Sequence, residues 1–355
     1  MKILITGGAG FVGSNLALKL KSKYPEYTIM CLDNLKRRGS ELNLAAFSQQ
    51  GIKFIHGDIR NNEDLESLER FDLLLDTAAE PSVLAGIDSS ISSVINTNLV
   101  GTVNCLELAR KHNAGFIFLS TSRVYPIEML ERCDWEEQPT RYAWTDNQMI
   151  EGISSNGVSE AFPLKGARSF YGTTKLSSEL FIEEYQSQTG MNTIINRCGV
   201  IAGPRQMGKV DQGFLTLWVA RHLWPGRLGY FGYGGEGKQV RDVLHIDDLF
   251  RLIDLQVHQM NKFNGEVFNV GGGRDFSVSL HELTQLCQKI SGNELSFERV
   301  VENREADLRI YITDNSYVKS RLGWEPSLSP TVIVKDVWDW IKENEKLLKP
   351  ILSNK

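Results

Sequence analysis

The segment YGTTK places Tyr171 four positions ahead of Lys175, at what reads as the start of a helix. At this spacing two side chains lie on the same helix face. A phenol titrates at about pH 10, so it is a poor base at neutral pH unless a nearby positive charge favours the phenolate. The pair therefore suggests a tyrosine base assisted by an ammonium. Alone, however, a YxxxK spacing is common by chance on surface helices.

A glycine turn near the N-terminus predicts a dinucleotide site. GGAGFVG, residues 7–13, follows the apolar segment KILIT and opens an amphipathic stretch. Its glycines allow a tight turn and a close approach to a pyrophosphate, which the helix N-terminus attracts. Asp33 ends the next strand, where a carboxylate accepts the adenosine-ribose hydroxyls and repels a 2′-phosphate. We therefore expect NAD rather than NADP, although the basic run 36–38 could accommodate a phosphate.

The elements that must position these residues alternate along the first half of the chain. Short apolar runs are separated by helix-length stretches: KILIT, YTIMCLD, KFIHGD, DLLLDTAA, AGFIFLST and NTIINRC. This alternation predicts an α/β, Rossmann-type doubly wound parallel sheet. Beyond about Gly203, glycine-rich loops interleave with helices and predict a smaller, irregular α+β domain. We place the dinucleotide domain at residues 1–200 and the substrate domain at 201–355, with some later segments returning to the first.

The composition argues against several other classes of protein. A formal net charge of -5 without a basic stripe disfavours nucleic acid as a partner. No apolar run is long enough to cross a bilayer, and the N-terminus enters a strand instead of a secretory signal, so we expect a cytoplasmic protein without a membrane partner. The 5 cysteines show no CxxC or His-rich spacing, so we expect reduced thiols, no disulfide framework and no metal.

Read in order, GGAGFVG, Asp33, GDIR, LSTSRVY and YGTTK resemble the extended short-chain dehydrogenase/reductase superfamily, the NAD-dependent nucleotide-sugar epimerases and dehydratases. The resemblance covers essentially the whole chain. It implies that Tyr171 is the base, that Lys175 assists it, and that Thr121 is the third catalytic group, holding the sugar oxygen.

The family motif that locates Thr121 is VYG, which appears here as VYP. Thr121 lies four residues before Tyr125, and Pro126 replaces the usual glycine, a departure that we expect to affect the loop more than the triad. Ser120 and Ser122 flank Thr121 as alternatives, and the alternation of side chains along a strand should point them away from it.

The resemblance also implies the cofactor contacts. They fall in the glycine turn, at the strand ends and on two helices: Gly7, Gly10, Phe11, Val12, Gly13, Asp33, Asn34, Arg37, Asp58, Ile59, Ala78, Ala79, Asn98, Tyr171 and Lys175. Asp58 and Ile59 would meet the adenine, and the small Ala78 and Ala79 would let a ring approach closely. On residue type alone, Asp58 is nearly as well explained as a loop or N-cap residue.

The residues after Thr121 bear on the reaction. Dehydratases of the family usually carry an Asp-Glu pair there, and decarboxylating relatives a Glu, whereas this chain has Ser122 and Arg123. Elimination of water lacks its expected carboxylates, which leaves oxidation and re-reduction at one carbon. The implied substrate contacts are Thr121, Ser122, Arg123, Gln212, Gln239, Arg241 and Arg304. Arg241 and Arg304 would bind the nucleotide diphosphate, and the alternative role of each is a salt bridge.

Which sugar carbon reacts depends on segments further along the chain. PTRYAWTD, VDQGF and GKQVRDVLH resemble the branch of the family that inverts C2 of a CDP-dideoxyhexose through a 2-keto sugar. A UDP- or GDP-hexose 4-epimerase would use the same triad, and a reductase that exchanges its cofactor or a non-catalytic NAD-binding regulator would keep the fold. Relatives dimerise through the helices after the fourth and fifth strands, so we expect a homodimer or a dimer-based oligomer whose interface includes the helix from Tyr171 to Tyr185.

Overall fold

The computed structural model describes residues 1–87, 89–209, 212–224 and 226–353, so Val210 and Asp211 of the VDQGF segment lie outside the described residues. The strands are β1 Lys2–Thr6, β2 Thr28–Asp33, β3 Lys53–His56, β4 Leu73–Asp76, β5 Gly115–Thr121, β6 Trp135–Glu137, β7 Tyr142–Trp144, β8 Ile153–Ser154, β9 Gly157–Val158, β10 Thr193–Cys198, β11 Val200–Ala202, β12 Leu228–Phe231, β13 Val240–His245, β14 Glu266–Val270, β15 Ser277–Ser279, β16 Phe297–Val300 and β17 Ile310–Tyr311. The helices are α1 Phe11–Lys23, α2 Leu44–Gln50, α3 Asn62–Glu66, α4 Ile91–Ile95, α5 Gly101–His112, α6 Ile127–Glu131, α7 Phe170–Thr189, α8 Phe214–Leu223, α9 Ile246–His258, α10 Leu280–Ser291, α11 Ser316–Leu322, α12 Pro330–Glu343 and α13 Glu345–Leu352.

The chain divides into two compact units and crosses between them several times. The first unit comprises Met1–Val124, Ser169–Arg197 and Phe250–Phe268, and the second comprises Tyr125–Arg168, Cys198–Leu249 and Asn269–Lys355. The first crossing therefore lies at Val124, well before the boundary that the sequence placed at residue 200. No change in composition marks it, because Tyr125 joins the second unit through tertiary contacts: its hydroxyl donates to Asn269 Oδ1 at 2.8 Å.

A seven-stranded sheet of order β14-β10-β5-β4-β1-β2-β3 confirms the doubly wound parallel fold. The central strand β1 pairs in parallel with β2 on one side and with β4 on the other. The topological switch thus falls beside β1, and ligands of such sheets bind at the carboxyl ends of the strands next to the switch. The residues that follow β1 and β4 at this edge are Gly7 and Thr77.

The strands of this sheet are nearly continuous apolar runs because helices cover the sheet. One face packs into a core that includes Leu4, Met30, Leu74, Phe116 and Phe118. The sheet therefore provides a rigid base for the loops at its carboxyl edge.

Helix α7 is positioned by its own end signals. The Ser169 side chain caps its N-terminus by accepting from Gly172 N at 3.2 Å, and Gly190 ends it with a left-handed φ of 71°. Gly190 suits this position because it has no Cβ to clash. The cap places Tyr171 in the first turn of the helix, one residue after its first residue Phe170.

The second unit is irregular and mixes α and β elements, as expected. β11, β13 and β15 form a small sheet, β17 adds to β13, β12 pairs with β16, and β6–β7 and β8–β9 are hairpins. Trp324 is buried in this unit and its indole donates to the carbonyl of Asp248 at 3.0 Å. Across the described part of the chain, none of the helices combines the length and the apolar character that crossing a bilayer demands.

Candidate active site

The Tyr171–Lys175 pair lies on the buried face of α7. Tyr171 is 9% exposed and Lys175 is 2% exposed. The Lys175 ammonium lies 3.8 Å from the centroid of the Phe118 ring on β5. An ammonium over an aromatic face gains electrostatic energy, and the gain is larger where water is excluded. Phe118 therefore offsets part of the penalty for burying this charge, a contact that the sequence analysis did not anticipate.

Thr121 ends β5, and α7 packs against both β5 and the following turn Ser122–Val124. The Thr121 hydroxyl oxygen accepts from the backbone N–H of Arg123 at 3.2 Å. A hydroxyl that accepts in this way keeps its own proton for donation to another oxygen. The flanking Ser120 hydroxyl instead donates to the carboxylate of Glu179 on α7.

The glycine turn forms a cradle that side chains would fill. Gly7 has a φ of 60°, and a Cβ there would lie 2.8 Å from the Ala78 Cα. A Cβ on Gly13 would lie 2.4 Å from the Gly7 carbonyl oxygen, which already accepts from Gly10 N at 3.0 Å. Gly10 is the N-cap of α1 and has no side chain to cap its first N–H groups. These groups and the positive end of the helix dipole fit the pyrophosphate of a dinucleotide.

Asp33 joins the glycine turn to the end of β2. Its Oδ2 accepts from Ala9 N at 3.1 Å and its Oδ1 accepts from Leu35 N at 2.8 Å. Leu35 has a left-handed φ of 54°, which turns the chain sharply after the strand. Burial raises the pKa of the Asp33 carboxyl, against the lowering effect of the backbone N–H donors. Each carboxylate oxygen has a further lone pair with which to accept from a ribose hydroxyl.

Asp58 is held by Arg60, a residue that the sequence motifs do not mark as part of the site. The Arg60 guanidinium donates to Asp58 Oδ1 at 2.9 Å and to Oδ2 at 2.6 Å, and Asn34 donates to Oδ2 at 2.8 Å. The hydrogen bonds from Arg60 hold the pKa of Asp58 well below its usual range. Asn61, not Asp58, caps the following helix, since its side chain accepts from Glu63 N. A cavity of ≈ 470 Å³ is lined by Asp58, Arg60, Asn61, Asp64, Asn96 and Val100.

Asn98 is fully buried in a π-helical turn, Asn96–Val100. Its side chain accepts from Glu80 N at 2.7 Å and donates to Thr174 Oγ1 at 3.3 Å. Its main-chain carbonyl accepts from Ser178 Oγ at 2.9 Å. Asn98 thereby ties the loop after β4 to α7, a bridging contact that no sequence motif predicts. The other cofactor or substrate candidates in the first unit that are half-buried are Phe11, Val12, Arg37, Ala78, Ala79, Ser122 and Arg123, and Ile59 is buried.

In the second unit, Gln239 and Arg304 share a neighbour. Gln239 donates to the carbonyl of Phe231 at 2.6 Å, and the Arg304 guanidinium lies 3.7 Å from the centroid of the Phe231 ring. Arg241 donates to Asp307 Oδ1 at 2.7 Å, which is the salt bridge expected as its alternative role. Gln212 forms a backbone bridge with Lys209.

The PTRYAWTD segment forms the second strand of the β6–β7 hairpin and is anchored on α10. Arg141 donates to both oxygens of Glu282, at 2.8 and 2.5 Å, and Thr140 donates to the same carboxylate at 2.7 Å. Tyr142 donates to the carbonyl of Tyr233 at 3.0 Å. The polar groups of this segment therefore hold the hairpin in place.

Residues 3–271 match the family model described as the NAD dependent epimerase/dehydratase family. The chain is 33% identical over 349 residues to the CDP-paratose 2-epimerase of Salmonella typhi, with 96% of this chain and 99% of that protein covered. It is 29% identical over 352 residues to a dTDP-glucose 4,6-dehydratase of Actinoplanes sp., covering 97% and 98%. The crystal structure of UDP-glucuronic acid 4-epimerase from Bacillus cereus, in complex with UDP-glucuronic acid and NAD, matches with a TM-score of 0.77 at 26% identity, covering 97% and 100%.

The chain belongs to the NAD-dependent epimerase/dehydratase family. As a member of this family, it uses NAD, and the glycine cradle with Asp33 fits that cofactor. Its reaction is the epimerisation or dehydration of a nucleotide sugar.

Proposed function

We propose that this epimerase/dehydratase family member is a nucleotide-sugar epimerase that inverts C2 of a CDP-dideoxyhexose. The observation that carries the proposal is that the Thr121, Tyr171 and Lys175 set lacks the carboxylates of a dehydratase. Ser122 and Arg123 come directly after Thr121, where dehydratases carry Asp and Glu. A serine does not titrate in the working range and a guanidinium stays protonated, so neither supplies the base that removing a C–H proton requires. This composition supports reversible oxidation at one carbon over elimination of water.

The choice of C2 rests on similarity to a relative. The CDP-paratose 2-epimerase of Salmonella typhi aligns along 96% of the chain, and that enzyme's name specifies the carbon and the nucleotide. The proposed substrate contacts in the second unit are Gln212, Gln239, Arg241 and Arg304. A diphosphate would have to replace Asp307 as the partner of Arg241, and planar guanidinium groups suit that exchange because they bind oxygens bidentately.

The proposed mechanism assigns one proton path to this chain's residues. Tyr171, as phenolate, accepts the proton of the C2 hydroxyl while the Lys175 charge stabilises the phenolate. The Thr121 hydroxyl donates to the sugar oxygen and holds it near the phenol. The glycine turn and Asp33 would hold NAD, which would supply the acceptor for the C2 hydride and the donor for its return. Once the 2-keto sugar presents its other face, Tyr171 gives its proton back to the oxygen, and no net oxidation results.

A UDP- or GDP-hexose 4-epimerase is the second candidate. The similarity to a UDP-glucuronic acid 4-epimerase of the same fold favours it, because the same three residues would act on C4. A non-catalytic NAD-binding regulator is less well supported, since it would have no need to keep Tyr171 and Lys175 buried together on one helix face.

We further propose a cytoplasmic homodimer that uses the helical elements after β4 together with α7. Apolar side chains are exposed on these elements: Ile91, Ile95, Val100, Leu180 and Phe181. Leu180→Glu should shift the mass measured by light scattering from dimer to monomer. A dimer that persists in Leu180→Glu and in Phe181→Glu would contradict this interface.

The test of the reaction is proton NMR of the purified protein with CDP-paratose, CDP-glucose, UDP-glucose and GDP-mannose in turn. Inversion at C2 supports the proposal, and inversion at C4 without change at C2 refutes it. Tyr171→Phe should abolish turnover. Tyr185→Phe is the matched control, because Tyr185 lies on the same helix but its hydroxyl donates to Glu107 on α5, and this variant should turn over like the wild type.

A further inference from the structure

A buried ion pair lies one helical turn beyond Lys175. The side chains of Arg197 on β10 and Glu179 on α7 are 6% and 1% exposed. Arg197 Nε donates to both carboxylate oxygens, at 3.2 and 3.0 Å, and Nη2 donates to Oε2 at 2.7 Å. Ser120 on β5 adds a hydrogen bond to Oε1. Both oxygens of Glu179 are therefore occupied by donors from two neighbouring strands.

This pair lies on the same helix face as the residues proposed for catalysis. Tyr171, Lys175 and Glu179 follow one another at four-residue steps, so their side chains share one face of α7. On β5, Phe118 and Ser120 point to one face of the strand and contact Lys175 and Glu179 respectively. The lysine thus has two possible anionic neighbours along the helix: the Tyr171 phenolate one turn before it and the Glu179 carboxylate one turn after it.

A lysine and a glutamate at this spacing attract each other, and the attraction grows as water is excluded. A Glu179 carboxylate without its strand partners would compete with the phenolate for the Lys175 ammonium. The hydrogen bonds from Arg197 and Ser120 satisfy that carboxylate in place, and the guanidinium cancels its charge.

We propose that Arg197 and Ser120 are positioning residues that hold the Glu179 carboxylate away from Lys175, so that the lysine ammonium remains available to the Tyr171 phenol. The inference rests on the proposed roles of Tyr171 and Lys175. It assigns an influence on the ionisation of Tyr171 to residues outside both the glycine motif and YGTTK.

Other charged and titratable groups lie on the elements packed around α7. Glu107 on α5 is bound by Arg110 and by Tyr185, near the far end of α7. Burial raises the pKa of the Cys105 thiol well above its ordinary value, so it is neutral. The remaining titratable groups on these elements are Arg123 in the turn after β5, Lys111 and His112 on α5, Glu183 and Glu184 on α7, and Cys198 on β10.

The experiment measures the phenolate of Tyr171 directly, without a substrate. Near-ultraviolet absorbance of the NAD-bound protein is titrated with pH, and the same titration of Tyr171→Phe is subtracted to isolate the Tyr171 signal. Arg197→Met should raise the midpoint of the Tyr171 titration by about one pH unit. At any pH below the midpoint, this makes the phenolate fraction about tenfold smaller. Glu179→Met should move it down, because an unpaired guanidinium then faces the helix. The double variant Arg197→Met/Glu179→Met should return to the wild-type midpoint.

Opposite shifts that cancel in the double variant are not produced by a merely structural role, which would lower stability without moving the titration. If Arg197→Met does not fold, Ser120→Ala carries the test, since it removes one donor to Glu179 and should raise the midpoint by a smaller amount. A midpoint unchanged in the foldable single variants overturns the inference. Failure of every nucleotide sugar to turn over would contradict the proposed reaction and leave this titration intact, so the two failures are distinguishable.

Discussion

Gly13→Ala tests whether the glycine turn is a cradle for the cofactor or only a packing feature. The added Cβ would lie 2.4 Å from the Gly7 carbonyl oxygen and 2.8 Å from the Gly8 Cα, both backbone atoms. Ordinary contact begins at 3.4 Å, so about 1 Å of movement is needed. The Gly7 carbonyl cannot move away freely because it accepts from Gly10 N at 3.0 Å. Overpacking of this kind costs about 1 to 3 kcal/mol.

In the free protein the variant can relieve this strain by opening the turn. NAD binding requires the closed turn, so the same energy is then lost from the binding free energy. The expected loss of affinity is about fivefold to a hundredfold, since each 1.4 kcal/mol is roughly tenfold. Titration calorimetry gives the NAD dissociation constant, and thermal unfolding reports stability in the same samples.

Gly115→Ala is the matched control for this prediction. Its Cβ would lie 2.5 Å from the Met260 sulfur, which belongs to a flexible side chain that can move aside. This variant should bind NAD as the wild type does. Wild-type NAD affinity in Gly13→Ala, or an equal loss in Gly115→Ala, would refute the assignment of the turn to the cofactor.

Three further predictions follow from the charged residues of the two units. Lys175→Met should lower kcat at least about a hundredfold in a steady-state NMR assay, because the phenolate loses its stabilising charge, and wild-type turnover would contradict that role. Burial raises the pKa of Asp33, so NAD affinity should weaken as the pH falls through this raised pKa and the carboxylate becomes protonated. Asp33→Asn should bind NAD more weakly and lose this pH dependence. Calorimetry across the acidic pH range measures both effects. Burial raises the pKa of Asp242 from 3.8 to about 6. Between those values the folded state holds a proton that the unfolded state has released, so this group's contribution to stability falls as pH rises through that window, by up to about 3 kcal/mol. Denaturant unfolding should therefore show Asp242→Asn more stable than the wild type at neutral pH, with the difference vanishing near the lower value; a difference that is independent of pH would count against a buried, ionised Asp242.

Much of the first unit could be predicted from the sequence because its signals are local. The apolar runs became strands of the parallel sheet, with ends close to those read from the pattern, and the helix of YGTTK begins at Phe170. The glycine motif acts locally, within a few consecutive residues, so the segment GGAGFVG was sufficient to predict the turn. The crossing at Val124 was not predicted, because it depends on the contact of Tyr125 with Asn269, far along the chain.

The sequence by itself determined the parallel α/β fold, since it follows from short apolar runs at regular spacing. It also predicted the glycine turn as the NAD site and, through the family resemblance, Tyr171 as the base. Only the tertiary structure decided what surrounds that base: the Phe118 ring beneath Lys175, the Asn98 bridge to α7, and the Arg197 and Ser120 donors on Glu179. These contacts join strands and helices that are distant along the chain. Spacing within one segment fixes which side chains share a face, whereas the partner that meets that face depends on how the whole sheet and its helices pack.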